Sequence, residues 1–483
     1  MKRNAPDGID ISTQDLINSA IKHTSPSDMR YRYKRLFDPI FIDDDDNWWE
    51  KRQTRQENAV CDVYSSFGID GVVQFGIDVG NSVLIAQKLG NNMTIKECNS
   101  LLSLCTAKKL DRNFFASAVK GLVARYGYGI LHKIDFRNCS SDFVSWLLSQ
   151  MPPSMKLFEV ANQLLKQDQN IDVFWQSIDI PYMGLSSEID PNYAWTCLVK
   201  QDRYRAAINL FWYPTQQCTI ADKEIRRVLI EAATQKSTEK IEPDAIQYLI
   251  GLLQQNRNIS INDISDVELI YISVLDEYSE VKPRALNYRL ANNPAFFCEL
   301  IELFYKKRNT GKPNELLSQN MLDRLGEIFF NYCVIPGTNW DGNYDEDIFK
   351  HWIEYCKNWS CTTNTTEVVL HTIGNGLSYA AICENGLPDK FIMKELDKLD
   401  NEEMRLGYKI GVVNQRGLTL VDPEGNPEYE LAKKYKKMAN DAESLGYSRY
   451  AETLALLSQE YINQAENNIL ECKRDQELEA MDE

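Results

Sequence analysis

Apolar residues in this 483-residue chain recur at intervals of three and four, in runs that are short and end in turn residues. That is the period of one face of an α-helix, and such a chain can bury its apolar faces only by stacking helix on helix. Cys61/Tyr64/Phe67, Leu101/Leu102/Cys105 and Phe114/Phe115/Ala118/Leu122 show the spacing, with Gly90-Asn91-Asn92 and Met151-Pro152-Pro153 among the stops. The pattern continues over residues 194–200, 203–212, 221–234, 243–255 and 263–278. Residues 283–292 and 294–307 each begin on proline, which suits the first helical position because that N–H has no intrahelical partner. Residues 315–332 and 346–359 follow, the latter with Asp345 as N-cap. Two closing helices carry Ala432, Tyr435, Ala439 and Ala442, then Leu454, Leu457 and Tyr461. Mean helix and connection lengths give on the order of 20 helices. The expected fold is all-α: an irregular α-solenoid-like array of stacked helix pairs of the HEAT or TPR kind, without a sharp repeat period. One short β-hairpin is expected near 417–422.

Single cores stop growing near ~250–300 residues, so a chain of this length divides or extends. The divisions expected are a polar lead-in over 1–30, an N-terminal helical array over 31–215 and a middle array over 216–310. A C-terminal helical domain over 311–425 and a terminal helical pair with an acidic tail over 426–483 complete the chain. Its 43% hydrophobic and 25% charged residues are ordinary for a globular protein.

Charge narrows the function classes. With 53 Lys+Arg against 70 Asp+Glu the net charge is −17, which disfavours general binding to a phosphate backbone. The exception is residues 29–35, where Arg30, Arg32, Lys34 and Arg35 alternate with two tyrosines. This run reads either as a nucleic-acid module or as a solvated helix face answered by the acidic run Asp43 to Asp46. No apolar stretch resembles a secretory signal or approaches a membrane span, so a cytoplasmic chain with reduced thiols is expected.

The usual catalytic motifs are missing: there is no Gly-x-x-x-x-Gly-Lys-Ser/Thr, Gly-x-Ser-x-Gly, His-Glu-x-x-His or Cys-x-x-Cys. Catalysis by carboxylates leaves weaker traces and stays open. Cys333, His351, Cys356, Cys361, His371 and Cys383 fall close together, but no two have zinc-knuckle spacing. The oxygen-rich stretch 334–345 misses the calcium-loop register, because Gly342 as position 6 puts Gly337 at 1 and Ile348 at 12. Neither a metal nor a cofactor is expected.

One run stands apart, Arg405-Leu-Gly-Tyr-Lys-Ile-Gly-Val-Val-Asn-Gln-Arg-Gly417. Gly407 and Gly411 share a helix face and would admit a second backbone, while Asn414 and Gly417 suit a left-handed exit. The alternative is a binding fork, with Arg405, Asn414, Arg416 and Gly417 presented to a carboxylate, phosphate or partner backbone.

Three blocks carry a resemblance: residues 291–305 (Ala-Asn-Asn-Pro-Ala-Phe-Phe-Cys-Glu-Leu-Ile-Glu-Leu-Phe-Tyr); Ile335-Pro336-Gly337-Thr338 with Asp341-Gly342 and Trp352; and residues 411–417. With Ala432, Tyr435, Ala451, Leu454 and Tyr461 they resemble the C-terminal helical half of large, mostly uncharacterised bacterial multidomain proteins, some associated with conflict or anti-phage systems. Weaker similarity reaches back to residues 37–90. The resemblance implies upstream domains that this chain, beginning at Met1, lacks, as in a split or truncated gene. It supplies no catalytic residues, and Leu418 and Val421 depart from the polar loop it leads one to expect. The function expected is a non-enzymatic scaffold or sensor binding a protein partner that supplies a missing effector or NTPase activity. An enzyme site around Arg405 and Arg416 is the alternative. An open groove with exposed aromatics such as Trp48, Trp49 or Trp340 would favour the partner, and a pocket joining Arg416, Asn414 and buried carboxylates the enzyme.

Overall fold

The computed structural model describes residues 16, 19–20, 28–37, 48–165, 168–180, 189–212, 217–275, 279–310, 319–384, 386–417 and 421–482. Every extended regular element among them is helical. The only β pairings among these residues are two isolated bridges, Thr338 with Tyr344 and Ile382 with Pro388. The hairpin expected near 417–422 centres on Leu418 to Leu420, outside the described residues. No described helix is long and apolar enough to cross a membrane. The chain divides into two compact units, Met1–Thr219 and Ile220–Glu483.

The first unit contains α1 (Met29–Tyr33), α2 (Trp48–Val79), α3 (Ser82–Gly90), α4 (Ile95–Thr106), α5 (Arg112–Tyr126), α6 (Ser141–Ser149), α7 (Met155–Leu164), α8 (Asp168–Ser177), α9 (Pro191–Lys200) and α10 (Tyr204–Asn209). Local chemistry sets the starts. Thr94 and Glu97 form a reciprocal capping box on α4, and Asp111 and Ser140 cap α5 and α6. The apolar stripe then faces inward, with Cys98, Leu101, Leu102 and Cys105 of α4 all buried. Helices α3 and α5 cross at Gly90 and Gly121, where a Cβ on either glycine would strike the other helix's backbone.

The second unit contains α11 (Asp222–Thr234), α12 (Pro243–Asn256), α13 (Ile261–Ile270), α14 (Arg284–Asn292), α15 (Pro294–Thr310), α16 (Gln319–Phe330), α17 (Glu346–Thr363), α18 (Thr366–Leu377), α19 (Lys390–Leu396), α20 (Glu402–Asn414), α21 (Asn426–Ser444) and α22 (Ser448–Asp482). Consecutive helices pair, as α13 with α14 and α21 with α22, and further pairs such as α15 with α17 and α18 with α20 tie them together. One apolar cluster runs from Ile272 to Tyr461, so residues 216–310, 311–425 and 426–483, separate segments in the sequence reading, meet in one core. Helix α13 stops at Ile270, and a 3₁₀ turn follows over Ile272–Val274; residues 276–278 of the expected helix lie outside the described residues.

Trp352 shows how the core is keyed. Its indole is buried and donates from Nε1 to the Leu290 carbonyl at 3.0 Å, while its ring lies 4.8 Å from that of Phe297. A buried indole N–H without an acceptor would cost about 1–3 kcal/mol, so this bond fixes α17 against the end of α14.

Candidate functional site: a cation–aromatic cleft in the second unit

The residues singled out in the sequence occupy two places. Gly407 and Gly411 line the face of α20 that meets α18. A Cβ at Gly407 would collide with the His371 carbonyl, and one at Gly411 with Ser378 and Asn375. Gly374 answers from α18, where a Cβ would strike the Met404 carbonyl. These glycines therefore set the closeness of a helix crossing. Asn414 stays within the helix and is exposed, and the left-handed conformation falls on Gly417, at φ +62°.

The expected fork is engaged within the fold. Arg405 donates from Nη1 to the carbonyls of Leu396 at 2.9 Å and Lys398 at 2.6 Å, clamping the end of α19. Arg416 pairs with the buried Glu428 carboxylate, donates to Gln464 Oε1 at 3.3 Å and lies 5.9 Å from the Tyr461 ring centre. Arg405 lies within α20 and Arg416 in the turn that follows it, each held by different partners. They do not converge on one site with Asn414.

Pro336, Gly337 and Trp352 hold a loop in place. Pro336 and Gly337 are buried, and the Gly337 N–H donates to Ala291 O at 2.9 Å. Its φ of +77°, with Asp345 O 2.6 Å from where a Cβ would sit, leaves room only for glycine. The bridge of Thr338 to Tyr344 closes the loop. The Asn339 side-chain oxygen, accepting from Asp341 and Asn343 N–H, rigidifies its tip. Asp345 then caps α17 through the N–H groups of Asp347 and Ile348.

That loop carries Trp340 to a cleft of about 230 Å³, lined by Arg284, Asn287 and Tyr288 of α14 together with Trp340, Asn339 and Tyr344. Two guanidinium groups lie over the Trp340 ring, Arg284 at 4.8 Å and Arg257 at 5.2 Å. Arg284 also donates to the Trp340 carbonyl at 3.1 Å. An adjoining depression of about 480 Å³ is lined by Lys223, Arg226, Arg257, Asn258, Ile259, Ser260 and Asp263. Arg257 lines the depression and lies over Trp340, so the two hollows are neighbours.

Each element earns its position from local chemistry. Asp222, buried at the first turn of α11, accepts from Asn256 Nδ2 and Asn258 N, both at 3.1 Å. This fixes the turn that ends α12 and holds Arg257 at φ +51°, an uncommon conformation for a side chain of that size. Glu268 of α13 plays the equivalent part beneath Arg284. It is fully buried and accepts from Gln254 Nε2 at 2.8 Å, Ala285 N at 3.1 Å and Leu286 N at 2.6 Å, so its carboxylate closes the start of α14. Burial pushes its carboxyl up to about 7, although the Leu286, Gln254 and Ala285 hydrogen bonds and the Arg284 charge pull it back down.

Four cations and one acid line the two hollows, within a chain of net charge −17. Arg226 is paired with Asp263 at 3.0 Å, and Lys223 and Arg257 have no acidic partner among the described residues. Sequence reading singled out Trp340 but missed Lys223, Arg226, Arg257 and Arg284. Lys223 and Arg226 lie on α11, Arg257 at the end of α12 and Arg284 at the start of α14, and no sequence spacing links the three places. Trp48 and Trp49 begin α2, and their side chains lie outside the described residues.

The N-terminal basic run is folded against its own unit. Arg30 forms a fork with Asp28, with Nε 3.0 Å from Oδ2, and stacks 5.2 Å from the Phe67 ring centre, while Tyr33 donates to Asp62 at 2.5 Å. Asp43 to Asp46, the expected counter-charges, lie outside the described residues. Among the described residues no three His, Cys, Asp or Glu side chains converge as a metal site requires. Comparison with protein families, curated proteins and solved structures yields no match to this chain.

Proposed function

We propose that this chain is a non-enzymatic, cytoplasmic helical scaffold or sensor that docks an acidic segment of a protein partner in the Arg284–Trp340 cleft. The observation that carries this reading is the pairing of Arg257 and Arg284 on one partly exposed indole, with Lys223 alongside, in an otherwise acidic protein. Arginine and tryptophan are the side chains that most often dominate binding energy at interfaces, and guanidinium forks match carboxylates. Tyr288, Asn287 and Asn339 add aromatic surface and adaptable hydrogen bonding. These groups recognise. The lining supplies hydrogen-bond donors and aromatic faces.

The resemblance carried by residues 291–305, by Ile335 to Thr338 with Asp341, Gly342 and Trp352, and by residues 411–417 fits this reading, because it implies a helical region that works with other domains, some of them in proteins associated with conflict or anti-phage systems. Arg405 and Arg416, around which the enzyme alternative is drawn, are engaged with carbonyls and Glu428. The test is affinity capture of the full chain from its own cells, comparing wild type with Arg257→Glu/Arg284→Glu. The reading expects a protein enriched by wild type and depleted at least about tenfold by the variant, the scale set by losing charge-assisted contacts. Identical captures by both would count decisively against it.

A further inference from the structure

We infer that the docked segment is phosphorylated, its phosphoryl group seated in the depression of Lys223, Arg226 and Arg257 while the flanking residues cross Trp340. This rests on the docking reading above and adds the chemistry of the ligand.

The charge of the lining decides between a carboxylate and a phosphoryl group. Lys223, Arg226 and Arg257 against Asp263 leave 3 − 1 = +2, more than one carboxylate answers, and Asp266, 3.9 Å from Arg226, is itself taken up by Arg289 at 2.8 Å. A phosphoryl ester near neutral pH carries about −1.5 to −2 and three acceptor oxygens. The acid in the depression is already satisfied from within, since Asp263 accepts from Ser260 Oγ at 2.7 Å and pairs with Arg226 at 3.0 Å. It therefore orients Arg226 without cancelling Lys223 or Arg257, both exposed.

The Nε of Arg226 is buried and has no hydrogen-bond acceptor among the described residues. Its planar guanidinium, held at the other end by Asp263, lines the depression and suits an oxygen-rich group. Arg257 completes the geometry. Asp222 fixes its turn through Asn256 and Asn258, and its side chain reaches both the depression and the Trp340 ring. A phosphoryl group bound beside Arg257 therefore places the next residues of its chain on the indole and against Arg284. The depression is open and about 480 Å³, enough for a phosphorylated side chain with its neighbours.

The experiment measures fluorescence anisotropy of a labelled acidic peptide pool carrying a fixed central phosphoserine, titrated with the full chain. The same pool with serine or glutamate at that position, a short single-stranded RNA and ATP serve as comparisons. The phosphorylated pool should bind about tenfold or more tightly than either unphosphorylated pool. Lys223→Ala and Arg257→Asn, the latter chosen because asparagine tolerates positive φ, should each erase that preference while circular dichroism and melting stay as in wild type. Arg284→Glu should weaken all three pools. Equal binding of the three pools, lost together on Arg284→Glu, overturns the phosphoryl inference and leaves the acidic-segment reading standing. Binding by none of the pools overturns both. Tighter binding of RNA or ATP, with the same sensitivity to Lys223 and Arg257, overturns the peptide class in favour of a nucleotide.

Discussion

The buried carboxylate of Glu268 makes the stability of the second unit depend on pH in a direction opposite to that of most carboxylates. Its pKa stands at about 7 in the folded chain, against an ordinary value of 4.5. Below both values the group is protonated whether folded or not, and above both it is ionised in either state. Between them the folded chain binds the proton and the unfolded chain does not. Stability contributed by this group is therefore complete below about 4.5 and is lost as pH rises through 7. The gap between 4.5 and about 7 corresponds, at 1.36 kcal/mol for each tenfold change in the proton equilibrium, to about 3 kcal/mol. Glu268→Gln cannot titrate, yet it keeps the volume and one carbonyl oxygen for Gln254 and Ala285. The assay is urea unfolding at pH 5 and pH 7.5, followed by circular dichroism, for wild type and variant. Subtracting the two cancels every other titrating group. Wild type should lose about 2–3 kcal/mol more than the variant across the window. Equal losses in the two proteins would refute the reasoning, showing that the three N–H donors offset the cost of burial.

Other perturbations separate structural from binding roles. Gly374→Ala should destabilise the second unit by about 2 kcal/mol, because its Cβ meets the Met404 carbonyl and lies 2.8 Å from Tyr408 N, both backbone atoms that cannot step aside. Gly326→Ala, whose nearest neighbours are side-chain atoms at 3.7 Å, should instead raise stability by up to about 1 kcal/mol through helix propensity; thermal melts distinguish the signs. Arg416→Ala strands Glu428, 1% exposed, and should cost about 3–5 kcal/mol in urea unfolding, whereas Arg416→Met/Glu428→Leu should recover most of it. Trp340→Ala should leave the melting temperature nearly unchanged while abolishing partner capture, because its ring is held mainly by exposed cations worth only about 0.5–1 kcal/mol each.

The helical array was legible because its signals are local. Proline at 243 and 294, Asp345 before 346 and the i, i+3, i+4 stripes each act within one or two turns, and the helices begin where those residues stand. Gly407 and Gly411 announced a close approach, but not its partner. Gly374 lies on another helix, and only the packed core of residues 272–461 brings the two together. The cleft was illegible for the same reason. Lys223, Arg257, Arg284 and Trp340 belong to four elements, and their convergence is a property of tertiary packing. Glu268 did leave a trace: it stands at i+4 from Ile264 and three residues before Tyr271, an acid on the buried stripe of its helix. A carboxylate in such a place has to find donors, and those it finds form the floor beneath Arg284. Arg416 misled in the opposite sense, because an arginine beside a glycine turn reads as presented to a partner until Glu428 is seen to take it up.

The docking of an acidic partner segment against Trp340 is tested most directly by site-specific photo-crosslinking in the native cells. A photoreactive residue at Asn287, on the cleft wall, is compared with one at Leu456, an exposed position on α22. A discrete adduct is expected from position 287 alone, and Arg257→Glu/Arg284→Glu should remove it while the chain stays folded. An adduct equally strong from position 456, or one that survives the double charge reversal, would contradict the account.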